Sequence, residues 1–221
     1  MRAYFPELLK EFGNPLFLRT VIPKYHYRKN DFESLCFVAR AMLPLMGKDA
    51  GWDHRLFFVG EHWETEVCMT LGQGVDTLQE HYLSLGLLSE CYMVEVLASE
   101  LLLQGYKAYN RLVAEETSYH VKRYLYLGSG KNYPIEGLKE LLERLEVPVT
   151  CNDAYCMIPK KSVAFVAELT EDTNTRCQGI CVGCRSRNCP NRMEESIDIG
   201  RITADMTGVP LNYGYSRIFW R

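Results

Sequence analysis

Long apolar runs are missing from this chain. Nowhere in its 221 residues do ~18 apolar side chains follow one another, the length a helix needs to cross a bilayer. The N-terminus, MRAYFPELLKEFGNPLF, is broken by Glu7 and Glu11, so neither a secretion signal nor a membrane anchor is expected there. An excess of positive charge is missing as well. A net charge of −3 and a pI near 6.0 argue against a nucleic-acid surface over the whole molecule. Neither nucleic acid nor membrane is therefore expected as a partner. The five histidines, His26, His54, His62, His81 and His120, show no ligand spacing such as His-x3-His, and core or surface roles are expected for them. No Ser/His/Asp or paired-carboxylate arrangement stands out, and there is no repeat or low-complexity run. A cytoplasmic, reducing compartment is the expectation, with Cys36, Cys68, Cys91, Cys151 and Cys156 as core thiols.

What the chain does have is a cluster of thiols near its C-terminus: Cys177-x3-Cys181-x2-Cys184-x4-Cys189, followed at once by Pro190. Thiolates packed this closely repel one another unless a cation or a disulfide absorbs them. No carboxylate lies between Asp172 and Glu194, whereas Arg176, Arg185, Arg187 and Arg192 do. That positive field favours thiolates and offsets the charge of a four-thiolate centre. A 4Fe-4S iron–sulfur cluster comes first, on the mixed short spacings and the closing Cys-Pro. Zinc comes second, because structural zinc sites more often split into two separated knuckles. Two disulfides come third, and the total of nine cysteines is odd for a complete disulfide framework. Cys177, Cys181 and Cys184 also fit the three-cysteine motif of radical enzymes that cleave S-adenosylmethionine. In that family a long barrel follows the motif; little chain follows it here, and this reading ranks last.

The elements alternate without strict order, so the class is α+β. Pro6 to Phe12 reads as a short helix ended by Gly13. Asn30 with Glu33 resembles a capping box before a helix whose face is Phe32, Leu35, Cys36, Ala39, Met42, Leu43 and Met46. Arg55 to Val59 and Glu66 to Leu71 read as strands. Val75 to Tyr106 reads as two helices meeting near Gly86, the second apolar nearly all round and hence buried. On it Glu95 falls among Leu88, Cys91, Tyr92, Ala98, Ser99 and Leu102. A carboxylate there needs a partner, either an internal hydrogen bond or ion pair, or a ligand. Tyr119 to Leu127 alternates as a strand with two unlike faces, and ends in the turn Gly128-Ser129-Gly130-Lys131-Asn132-Tyr133-Pro134. Such a turn suits close ligand approach or an anion at the helix start, though a plain tight turn is the commoner use. Leu138, Leu141, Leu142 and Leu145 then keep helical spacing. Val147 to Thr150 and Ser162 to Leu169 read as strands, the second apolar on both faces and so internal to a sheet.

Several of these landmarks resemble, in order, the activation domain of vitamin-B12-dependent methionine synthase and the stand-alone proteins grouped with it. Met69-Thr70-Leu71-Gly72 resembles the strand end before the family's helical pair, and Leu88 to Ala98 resembles its acidic helix. Leu127 to Lys139 resembles its ligand turn and the helix after it. Val147 to Thr150 and Met157 to Val163 resemble its "P.KSV" segment. Cys181-x2-Cys184-x4-Cys189-x2-Arg192 resembles the cysteine tail of the stand-alone members. The resemblance covers roughly residues 67 to 192. It implies a twisted antiparallel sheet with packed helices. The chain is expected to divide into an N-terminal helical segment (1–60) within or beside the same domain, a core (61–170) and a Cys-rich segment (171–221). The resemblance also implies a cytoplasmic, methyltransferase-associated protein that binds S-adenosylmethionine and helps reactivate a corrinoid protein, with cobalamin on the partner and flavodoxin or ferredoxin as electron donor. Carried over, Glu95 faces the ligand's amino group and Arg123 stands for the turn's arginine. Anchoring the turn on Pro134 adds Gly128, Ser129 and Gly130; anchoring it on tyrosine adds Tyr133. The alternative is a non-enzymatic interaction module whose Cys177, Cys181, Cys184 and Cys189 hold structural zinc or an iron–sulfur cluster.

Overall fold

The structure, a computed structural model, describes residues 1–129 and 132–179. Within them the chain is α+β, with six helices and a five-stranded antiparallel sheet. Strand β1 (Arg2–Ala3) leads into helix α1 (Pro6–Phe12), which begins on proline and stops at Gly13 as the sequence suggests. Helix α2 (Pro15–Lys24) is capped by the Asn14 side chain, which accepts the Leu16 amide at 2.9 Å. Helix α3 (Phe32–Asp49) follows a single 3-10 turn, Lys29–Asp31. The cap expected at Asn30 and Glu33 lies earlier: the Asp31 carboxylate accepts the Arg28 amide at 2.7 Å.

Strands β2 (Gly51–Val59) and β3 (His62–Thr70) form a hairpin longer than their apolar stretches suggest, turning at Gly60 with φ +58°. Helices α4 (Gln73–Ser84) and α5 (Leu88–Glu116) meet at Gly86, whose φ of +72° breaks the run as expected. Strand β4 (His120–Leu125), helix α6 (Gly137–Arg144), a small pair β5 (Thr150–Cys151) and β6 (Met157–Ile158), and strand β7 (Ser162–Thr170) complete the described chain. Of the strand expected over Val147 to Thr150, only its last residue pairs.

The sheet order is β1-β2-β3-β7-β4, so β7 lies between β3 and β4, as its two apolar faces require. Alternation divides the sheet. Val67 and Met69 of β3 with Phe165, Ala167 and Leu169 of β7 face helices α1 to α5 and join a core that runs from Tyr4 to Leu169. Cys68, Ala164 and Val166 face the other way, under Leu138, Leu141, Leu142 and Leu145 of α6 and its end. All four leucines of that helical stripe are buried. Helix α5 is not uniformly buried: Leu97, Leu101 and Tyr109 are enclosed, whereas Leu88 and Tyr92 are exposed. Its enclosed acid is Glu100, ion-paired with the buried Lys24 of α2 and accepting a bond from Gln104 at 3.0 Å. No helix among the described residues is long and apolar enough to cross a membrane.

Candidate functional site

Strand β4 does not keep the simple alternation its sequence suggests. A bulge shifts the register between Val121 and Arg123. Val121 therefore joins Tyr124 and Tyr126 on the helical side, while Arg123, Leu125 and Leu127 belong to the opposite face. A bulge of this kind lets consecutive side chains reach one target. Here Lys122 Nζ and Arg123 Nε each donate to the buried Glu168 at 2.5 Å, one to each carboxylate oxygen.

On that face the sheet, Leu127, Asn132, Tyr133, Pro134 and α6 line a cleft of about 550 Å³, a size that suits small molecules. Phe57, Leu127, Leu141 and Val166 give it apolar walls, and Glu64, Glu66, Arg123, Tyr133 and Arg144 give it polar ones. Glu64 and Glu66 lie two apart on β3 and so share a face; Glu64 pairs in register with Glu168 of β7. All three carboxylates are buried, and each has partners, as buried charge requires. Arg144 holds Glu66 through Nε, at 3.0 Å, and through one terminal nitrogen. Glu64 Oε1 accepts from the Tyr133 hydroxyl at 2.7 Å and lies 2.9 Å from His62 Nε2. Burial and then the Glu64 carboxylate hold the Tyr133 phenol well above its ordinary pKa, so it stays a donor. Burial pushes the Glu168 carboxyl up, but the bonds and charges of Lys122 and Arg123 outweigh it and hold it below the ordinary value.

The glycine-rich turn is closed on itself. The Gly128 amide, at φ +87°, donates to the Tyr133 carbonyl at 2.7 Å, and the Ser129 amide donates to the Tyr126 carbonyl at 2.9 Å. The Ser129 hydroxyl also turns back onto Tyr126. The Gly128 and Ser129 amides are thus spent within the turn. Gly130 lies outside the described residues.

Of the residues the sequence singles out, Arg123 and Tyr133 come together in the cleft. Glu95 does not join them. Its Oε2 accepts from Lys161 Nζ and from Gln79 Nε2 at 3.1 Å, between α4, α5 and the start of β7. The internal ion pair considered for it is what is found. Burial opposes the charge on Glu95, but Lys161 and Gln79 prevail and its carboxyl lies below the ordinary value.

Cys177 is half-buried against the helical core beside Tyr124. The next residue continues the sheet: the Gln178 amide donates to the Lys122 carbonyl at 2.8 Å, and Gln178 bridges Arg123 in parallel. Cys181, Cys184 and Cys189 lie outside the described residues. Among the described residues no group of three or more His, Cys, Asp or Glu side chains suits a metal ion. Cys68 is a core thiol pushed up to about 12 by burial, Cys36, Cys91 and Cys151 are half-buried, and Cys156 is exposed rather than in the core.

The cleft groups that sequence reasoning missed are Glu64, Glu66, His62 and Arg144, with Glu168 beside them. The signal was present in part: two acids at strand spacing beside a cysteine, and one acid in an otherwise apolar strand. Compared with models of known protein families and with curated proteins, the chain matches none.

Proposed function

We propose that the chain is a cytoplasmic accessory protein of a corrinoid-dependent methyltransferase such as methionine synthase, with an activation-domain type of fold. It binds S-adenosylmethionine in the cleft under α6 and presents the methyl group to the cobalt of a cobalamin on the partner. The oxidised, inactive corrinoid is thereby reduced and methylated, with flavodoxin or ferredoxin as the electron source. The chain's own contribution is to bind, orient and exclude water rather than to act as acid or base.

The observation that carries the reading is the pairing of Gln178 with β4, because the strand that receives it contributes Arg123 to the cleft. A cysteine centre that begins at Cys177 thus starts across β4 from the cleft, on the helical side of the sheet. Cys177, Cys181, Cys184 and Cys189 are the residues that would hold it. An iron–sulfur cluster there supplies single electrons, whereas zinc supplies only a staple.

Protein purified without oxygen tests both parts. About four irons and four sulfides per chain, with a broad band near ~400 nm, are expected, together with saturable heat on titrating S-adenosylmethionine. Folded protein that gives no heat at millimolar ligand removes the methyl-donor role.

A second reading, an interaction module with a structural four-cysteine site, is favoured by one surface. Leu83, Leu85, Leu87, Leu88 and Tyr92 are all exposed around the α4–α5 turn, and clustered apolar surface marks a partner contact. Zinc content with no ligand heat selects this reading.

A further inference from the structure

We infer that the chain pairs with a second copy of itself through the free edge of β2, antiparallel about a two-fold axis, with Phe57 opposite the copy's Phe57. The pairing is independent of which ligand the cleft takes.

Strand β2 is paired on one side only along most of its length. Strand β3 lines its inner side from Gly51 to Val59, whereas β1 covers the outer side only at Gly51 and Trp52. The hairpin decides which main-chain groups face outward. Val59 and His62 close a two-residue turn, so they exchange bonds with each other, and alternate pairs from Phe57–Glu64 back to Gly51–Thr70 do the same. The residues between them, Trp52, His54, Leu56 and Phe58, turn their amides and carbonyls away from β3. Trp52 meets Arg2 of β1, and the Tyr4 amide reaches the Ala50 carbonyl in the same phase. No strand covers His54, Leu56 or Phe58 among the described residues. Native edges are blunted by proline, lysine or a bulge. From Asp53 to Val59 this edge has none of them: it keeps register with β3 residue for residue. Its Leu56, Phe58 and Val59 side chains are exposed.

A strand edge takes a strand, and this edge complements itself. Outward groups must meet outward groups, which leaves few registers. Centring on Leu56 sets the copy's Val59 opposite Asp53, where β1 in its register carries Met1. Centring on Phe57 clears β1. Leu56 then exchanges its main-chain bonds with the copy's Phe58, and Phe58 with the copy's Leu56. The side chains match in that register. Leu56 and Phe58 cover each other, Phe57 meets Phe57, and Arg55 stands opposite Val59 with Glu61 diagonal to it. Arg55 and Glu61 are exposed, and neither has an ion pair among the described residues, so the contact supplies each with an opposite charge. A two-fold axis normal to the sheet keeps both faces continuous. The copy's Phe57 thereby stands beside the cleft that Phe57 and Val59 line, and each cleft gains an apolar wall from the other chain. The exposed leucines of the α4–α5 turn are the rival surface, but a helical turn presents no such row of open main-chain groups.

Light scattering and amide hydrogen exchange on the full chain test it. Arg55 to Val59 make a small interface, so the mass is expected to rise from monomer to dimer between about 1 and about 100 µM. Over that range the amides of Leu56 and Phe58 are expected to gain protection. Leu56→Lys, which places a charge on a side chain already exposed, is expected to weaken association at least about tenfold, with the circular dichroism spectrum unchanged. Leu56→Pro removes an amide that faces away from β3 and is expected to do the same. Should it fail to fold, Leu56→Lys keeps the test readable. A monomer at every concentration overturns the inference. So does a dimer that Leu83→Lys disperses and Leu56→Lys does not. Protection of Leu56 and Phe58 that does not vary with concentration means that another part of the same chain covers the edge, and overturns it as well.

Discussion

Glu168 shows how single residues hold the cleft in order. It is a buried carboxylate that stays ionised because a bulge brings two cations to it. Its folded carboxyl lies below 4.5, whereas in the unfolded chain it returns to the ordinary value near 4.5. Between those values the unfolded chain takes up a proton that the folded one refuses. The stability Glu168 contributes is thus complete above its unfolded value and is lost as pH falls through the folded one. Glu95, lowered by Lys161 and Gln79 despite its burial, has the same sign. In denaturation series from about pH 6 to about pH 3, the wild type should weaken progressively below the unfolded value. Glu168→Gln should weaken less steeply over that range; an equal or steeper slope would count against a lowered Glu168.

At the scale of elements, α6 is the dependent part. Eight residues are too few for a helix to persist alone. Its burial comes from a leucine stripe, Leu138, Leu141, Leu142 and Leu145, laid on Cys68, Ala164 and Val166 of the sheet. The same helix carries Arg144 to Glu66 and supplies Leu141 to the cleft wall. Leu141, 1% exposed, should cost about 2–5 kcal/mol when cut to alanine, measured by chemical denaturation. A loss under about 1 kcal/mol would mean that the helix does not rest on this seam.

The whole molecule, over the described residues, shares one main core. Tyr4 donates to the Leu101 carbonyl at 2.8 Å, Phe5 stacks on Trp52 with ring centroids 5.3 Å apart, and Lys24 reaches Glu100. The first helices are thereby fastened to α5 and to the sheet from three sides. Breaking the Lys24–Glu100 pair alone would strand a buried charge. Trp52 and Trp63 lie in the sheet, whereas far-ultraviolet circular dichroism weighs all six helices. The two signals should therefore follow one denaturation curve. An earlier loss of helical signal would show that α1 to α3 form a unit of their own.

Much of the frame was legible in the sequence, because local physics dictates it. Pro6 and Gly13 bound α1, Gly86 separates α4 from α5, the leucine spacing announces α6, and the two apolar faces of β7 require a central strand. The same chain also announces a four-thiol cluster by spacing and charge alone. The cleft was not legible. A one-residue bulge reverses which side chains of β4 share a face, and no periodicity records it. The three cleft acids come from two strands about a hundred residues apart, and their partners Lys122, Arg123, Tyr133 and Arg144 come from still other elements. Sequence decided that Glu95 needs a partner. Only the packing of α4, α5 and β7 decided that the partner is Lys161, and only strand pairing decided that Glu64 faces the cleft.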